Sequence, residues 1–182
     1  MAASPLGRPM ADEYSQFHAD YVGHVLEIDP VAVMASQAEI TQSLLSGVSE
    51  ERSLFRYAPE KWSIREVVGH LADAERVFAY RAMRIGRGDE TPMEGFDEDA
   101  YVIGAQFDRR PLAELLDELA NVRRSSLALF SGFDPGVWNR RGIASNARVS
   151  VRALAFIIPG HERHHVRVLK ERYGLGGLRT ED

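Results

Sequence analysis

The sequence has no cysteine, which excludes disulfide staples, thiolate catalysis and sulfur ligation, and leaves His, Asp and Glu as the side chains able to hold a metal. No apolar run approaches the roughly 20 residues that a membrane-spanning helix needs. The N-terminus also lacks a charged region followed by an apolar stretch, so the cytoplasm is the expected location and no membrane partner is expected. Concentrated positive charge is missing as well. The formal net charge is -5, and the arginine pairs at 109–110, 123–124 and 140–141 are short and separated. Such pairs read as solvated surface, and nucleic acid is not an expected partner. There is neither an internal repeat nor a low-complexity tract. With 45% apolar and 27% charged residues the composition is ordinary for a globular protein, and 182 residues suit one well-buried core.

What is present is helical patterning with clear start and stop signals. Residues 1–13 carry no periodicity and are expected to form a flexible N-terminal arm, residues 14–174 a single bundle, and residues 175–182 a C-terminal tail. Tyr14, Phe17, Tyr21, Val25 and Ile28 recur at three- and four-residue steps, predicting a helical docking segment in which His18 and His24 are surface or packing residues. Asp29-Pro30 starts a first long helix that Gly47 ends, and the capping box Ser63-Ile64-Arg65-Glu66 starts a second that runs to about Gly86. Residues 87–110 are acidic and rich in turn formers, and predict a long crossover or lid with a short helix near 97–104. Pro111 opens a third helix reaching Gly132, and Ser150 a fourth reaching Gly174, with Pro159 kinking it; residues 140–149 fit either a hairpin or an irregular loop. The fold class that follows is all-α, a four-helix bundle.

Bundles of this kind build metal sites from side chains on facing helices, and two inward stripes carry histidine. His161 and His165 lie four residues apart on one face of the fourth helix, a spacing that suits two imidazoles on one ion. His70 shares an inward stripe of the second helix with Val67, Ala74, Val77 and Arg81, and is the other histidine within a strongly patterned helix. His164 points about 100° away from His165 and reads as a supporting or packing residue. Glu162 and Asp73 are the candidates to orient an imidazole or accept a proton, and an exposed ion pair explains either one equally well. Arg81, three turns beyond His70, is a candidate to bind an anionic group of a substrate or cofactor, or else a stem covering the bundle end. Trp62 and Trp138 read as core anchors.

The stretch KWSIREVVGHLADAERVFAYRAMRIGRGD (residues 61–89), followed by GFDEDAYV and later by SVRALAFIIPGHERHHVRVLKERY, resembles the DinB-like (DinB/YfiT-like) family of metal-binding proteins. The resemblance covers about residues 14–173 and rests on the Trp-Ser helix start, the first histidine and the His-x-x-x-His pair. It implies an up-down-down-up topology, a homodimer, and a divalent ion, zinc or nickel, held by His70, His161 and His165. Relatives include bacillithiol S-transferases and a mycothiol-dependent maleylpyruvate isomerase. The resemblance thus implies thiol-dependent transferase chemistry on a small-molecule substrate, with a low-molecular-weight thiol as second cofactor. Metal-dependent hydrolysis and a non-catalytic, metal-binding stress-response role are the alternatives.

Overall fold

Capping chemistry sets where each long helix begins. In the computed structural model, which describes residues 7–176, the Asp29 carboxylate accepts the amides of Val31 and Ala32 at 3.0 Å and opens helix α2, Pro30–Leu45. It is preceded by one short helix, α1, Ala19–Gly23, and followed by another, α3, Glu50–Ser53. Ser63 and Glu66 exchange the reciprocal bonds of a capping box at the start of α4, Ile64–Gly86. The crossover carries α5, Glu98–Ala105, whose cap is Asp97. The next helix, α6 (Leu112–Ser131), is started from outside: the amide of Leu112 donates to the Glu50 carboxylate at 3.1 Å. After a hairpin of β1 (Arg141–Ala144) and β2 (Ala147–Ser150), Ser150 caps α7, Val151–Tyr173, which continues through Pro159 and stops at Gly174 with φ 67°.

Cross-links between the long helices fix their directions. The starts of α4 and α6 lie together, since Arg65 donates to the Asp108 carbonyl at 2.8 Å, and so do their middles, where Arg123 grips Glu75. These two helices are therefore parallel, which is why a crossover as long as residues 87–111 has to join them. Helix α7 ends beside the start of α4, with the Tyr173 hydroxyl on the Trp62 carbonyl at 2.6 Å, so it runs antiparallel to α4. Gln37 and Thr41 of α2 meet Pro159 and Glu162 in the same order, so α2 runs with α7. The topology is up-down-down-up.

The core is split by a polar layer. One apolar cluster gathers Met34, Phe78, Ile85, Phe130, Trp138 and Phe156; the other gathers Leu45, Ile64, Val68, Leu115, Leu119 and Leu169. Between them, at mid-height, lie the histidines of α4 and α7 and a buried arginine–glutamate group.

Of the two readings of residues 140–149 one forms, and two other local expectations change. Residues 140–149 are a hairpin, because Ser145 and Asn146 both take positive φ (50° and 59°) in the two-residue turn that right-twisted strands favour. The crossover docks on it, with Met93 paired to Ala144. The segment 14–28 is a short 3-10 turn followed by the five residues of α1, not one helix. The second half of the expected N-terminal arm is packed: Glu13 is 1% exposed and accepts Ser150 Oγ at 2.7 Å, and Arg8 donates to the Val22 carbonyl at 3.0 Å. Residues 1–6 of that arm and 177–182 of the expected tail lie outside the described residues.

Candidate metal centre

Antiparallel packing of α4 on α7 brings the edges of the His70 and His161 rings together. Their Nε2 atoms are 3.0 Å apart, and the Nε2 atoms of His161 and His165 are 3.1 Å apart. All three rings offer a nitrogen within 4.8 Å of the others. Tetrahedral zinc with bonds of about 2.0–2.1 Å places its ligand atoms roughly 3.4 Å apart, so the donor set is near that geometry and could hold one ion. Glycine makes the approach possible. A Cβ on residue 160 would lie 1.9 Å from the Tyr21 carbonyl oxygen, so only Gly160 lets α1 lie directly on α7, one residue before His161.

Electrostatics keep these imidazoles neutral. Burial lowers the pKa of His70 to about 4. Burial, reinforced by the neighbouring His165 and His70, holds His161 well below its ordinary value, and burial followed by the effect of His70 does the same for His165. Neutral rings present the lone pairs that a cation requires. The cluster opens on a pocket of about 550 Å³. Trp62 stands 4.6 Å from the His70 ring and stacks on His165 at 6.3 Å, while Tyr21 and Phe78 meet His161 edge-on at 5.2 and 5.7 Å. Burial raises the pKa of Tyr21, so its hydroxyl keeps its proton at neutral pH.

Neither candidate acid reaches the histidines. The run His161-Glu162-Arg163-His164-His165 has the outward form H-E-x-x-H, in which the glutamate of a zinc protease serves as base. Here Glu162 turns the other way. Its carboxylate accepts Arg123 Nη2 at 2.7 Å and Thr41 Oγ1 at 2.5 Å, and is 3% exposed. Asp73 pairs instead with Arg76, three residues on, at 3.0 Å. Arg123, expected on the surface with its neighbour, is 3% exposed and bound to both Glu75 and Glu162. Although burial works against its charge, Glu162 and Glu75 hold that guanidinium protonated.

Arg81 does reach the pocket, as does His164. Arg81 is 4% exposed, so the expected solvent-reaching head is not what forms. Trp138 is a core anchor, whereas Trp62 is a wall of the site. Sequence reasoning missed Tyr21, Phe78 and Ser145 as pocket residues and took His18 for packing. Phe78 carried a signal, standing eight residues from His70 on the same face, but the chain offers none for Ser145, which a hairpin turn delivers. His18 Nδ1 shares a hydrogen bond with Ser15 Oγ at 2.9 Å, and burial, then the charge of Arg81, lower its pKa to about 4.

No curated protein matches this chain. Its fold is similar to that of YfiT from Bacillus subtilis, described as a probable metal-dependent hydrolase with an unusual four-helix bundle topology, at a TM-score of 0.71 and 18% identity over 94% of this chain and 99% of that one. Together with helices that nowhere among the described residues are long and apolar enough to cross a membrane, this likeness defines the architecture. A family-level match to the DinB superfamily spans residues 35–169, the segment holding all three histidines, and the chain belongs to that superfamily.

Proposed function

We propose that this protein is a metal-dependent enzyme in which His70, His161 and His165 hold one divalent ion, zinc or nickel, facing the pocket. The observation that carries this reading is the convergence of three neutral imidazoles, His70 and His161 buried and His165 half-buried, beside a cavity of about 550 Å³. An ion with three protein ligands lowers the pKa of a bound thiol or water toward neutrality. The chain's own residues supply the rest: Trp62, Tyr21 and Phe78 form a mostly apolar wall that excludes water, and the protonated Tyr21 hydroxyl is available to hydrogen-bond negative charge on a bound molecule.

Thiol transfer to an electrophile is the favoured chemistry. A thiol, with a free pKa near about 8.5, ionises without help from a protein base, and both carboxylates that would have served as base are committed elsewhere, Glu162 to Arg123 and Asp73 to Arg76. Zinc- or nickel-loaded protein should therefore consume an aryl halide or maleate-type electrophile only when a low-molecular-weight thiol is supplied. His161→Ala should abolish that turnover. Hydrolysis is the second reading, favoured by the description of YfiT as a probable metal-dependent hydrolase. Turnover of an ester or amide without any thiol would replace the first reading with the second, and no thiol-dependent turnover across a broad panel would overturn the first.

A further inference from the structure

The pocket has a second polar end, away from the histidines. Along one face of α4 its floor is laid out in the order His70, Ala74, Phe78, Arg81. The two ends are eleven residues apart, about 16 Å along the helix axis. Both side chains lean back toward the helix N-terminus and the longer arginine reaches further, so the gap is somewhat shorter than that rise.

Arg81 is an unusual lining residue. It is 4% exposed, and among the described residues no carboxylate lies within ion-pair distance of it. One nitrogen, Nη2, donates to the Glu94 carbonyl at 2.8 Å and to Ser145 Oγ at 3.0 Å, which fixes the guanidinium against the crossover and the hairpin turn. Its Nε and Nη1 make no hydrogen bond among the described residues. Neither atom is sealed from solvent, and a largely buried cation with donors open to a pocket gains from an anion there. Contrast Arg123, whose every nitrogen is engaged. Nearby, His18 stays neutral and adds no second charge, and Glu98 is exposed at the mouth. One cation beside a mouth acid fits a monoanion, and the free Nε and Nη1, which lie on different edges of the guanidinium, each leave a charge-assisted hydrogen bond for a carboxylate oxygen.

We infer that Arg81 is the binding subsite for the carboxylate of a small monoanionic substrate whose apolar middle lies over Ala74 and Phe78 and whose reacting end lies at the three histidines. The orientation of the reacting end rests on the metal-dependent reading above; the carboxylate subsite does not. Arg81 acts by binding and positioning, since it is remote from the reacting atoms.

The test uses 3-phenylpropanoate and its neutral isostere 3-phenylpropanamide, titrated calorimetrically into the wild-type chain, once after chelation and once loaded with zinc. The carboxylate should bind at least about tenfold more tightly than the amide in both states, as a charge-assisted pair requires. Arg81→Met should erase the difference without changing zinc uptake, and Arg81→Lys should keep part of it. Equal affinities for the two probes in the wild-type chain, or no binding of either at millimolar concentration, would overturn the inference without any variant. A preference that vanishes on chelation would overturn it too, because the carboxylate would then have been sitting on the ion. A chain that takes up no zinc yet keeps the preference would instead sink the metal reading and leave the subsite standing.

Discussion

His161 and Glu162 are consecutive residues of α7, yet they face two polar centres of opposite character. On the Glu162 side every group is satisfied. Arg123 Nη1 donates to the Met34 carbonyl at 2.7 Å, Nε to Glu75 at 2.9 Å, and Nη2 to Glu75 and Glu162 at 2.8 and 2.7 Å. On the His161 side three ring nitrogens point at one another beside an open pocket, and no carboxylate among the described residues hydrogen-bonds to them. The closed centre ties α6 to α2, α4 and α7 at once. Because successive helical residues turn by about 100°, anchoring Glu162 to Arg123 also sets the rotation of α7 that aims His161 at His70. One centre is a clamp and the other a receptor, and the first positions the second.

Acid should separate the two centres most strongly. His70 and His18 have folded pKa values of about 4, and burial holds His161 and His165 well below their ordinary value too, so all four lie below the unfolded value of 6.5. Their contribution to stability is thus present above pH 6.5 and is lost as the pH falls from 6.5 through about 4, because the unfolded chain binds more protons. Chelated protein should show this loss in thermal melts recorded across that window, and bound zinc should move it to lower pH by competing with the protons. Arg123 does not titrate there.

The clamp is broken by Arg123→Met, which strands Glu75 and Glu162 without their buried counter-charge. A loss of about 3–5 kcal/mol in urea unfolding is expected, and a loss below 1 kcal/mol would show that the clamp is not under strain from burial. Gly160→Ala attacks the joint between α1 and α7, where the new Cβ has backbone within 1.9 Å. A cost of about 3 kcal/mol, the upper part of the overpacking range, is expected together with weaker zinc binding as the wall of the pocket moves. The smallest effect should come from Thr41→Val, which removes one donor to Glu162 while Arg123 remains. About 2 kcal/mol is expected for a hydrogen bond to a charged acceptor, with zinc affinity unchanged.

How much of this was legible in the chain follows local chemistry. Asp29, Ser63 and Ser150 announce the starts of α2, α4 and α7 because a cap needs only a side chain and its own next turn. The histidine stripes on α4 and α7 announce the receptor for the same reason, and the family likeness agreed with the pairing of His70 with His161 that the stripes already suggested. The clamp was hidden. Nothing within the run His161 to His165 tells whether Glu162 faces the other histidines, and its form argues for the wrong side. The answer lies in Arg123, 39 residues away. Arg123 did carry a signal, standing between Leu119 and Phe130 at core spacing on α6, where an exposed arginine does not belong. The docking of residues 8–13 and the arrival of Ser145 beside Arg81 depend on long-range packing alone and leave no local trace.

The most direct test is elemental analysis of purified protein after zinc loading and dialysis, made in parallel on the wild type and on His161→Ala, with folding checked by circular dichroism. The account predicts one ion per wild-type chain and none retained by the folded variant. Wild-type protein that retains no divalent metal, or a His161→Ala chain that retains as much as the wild type, would contradict it.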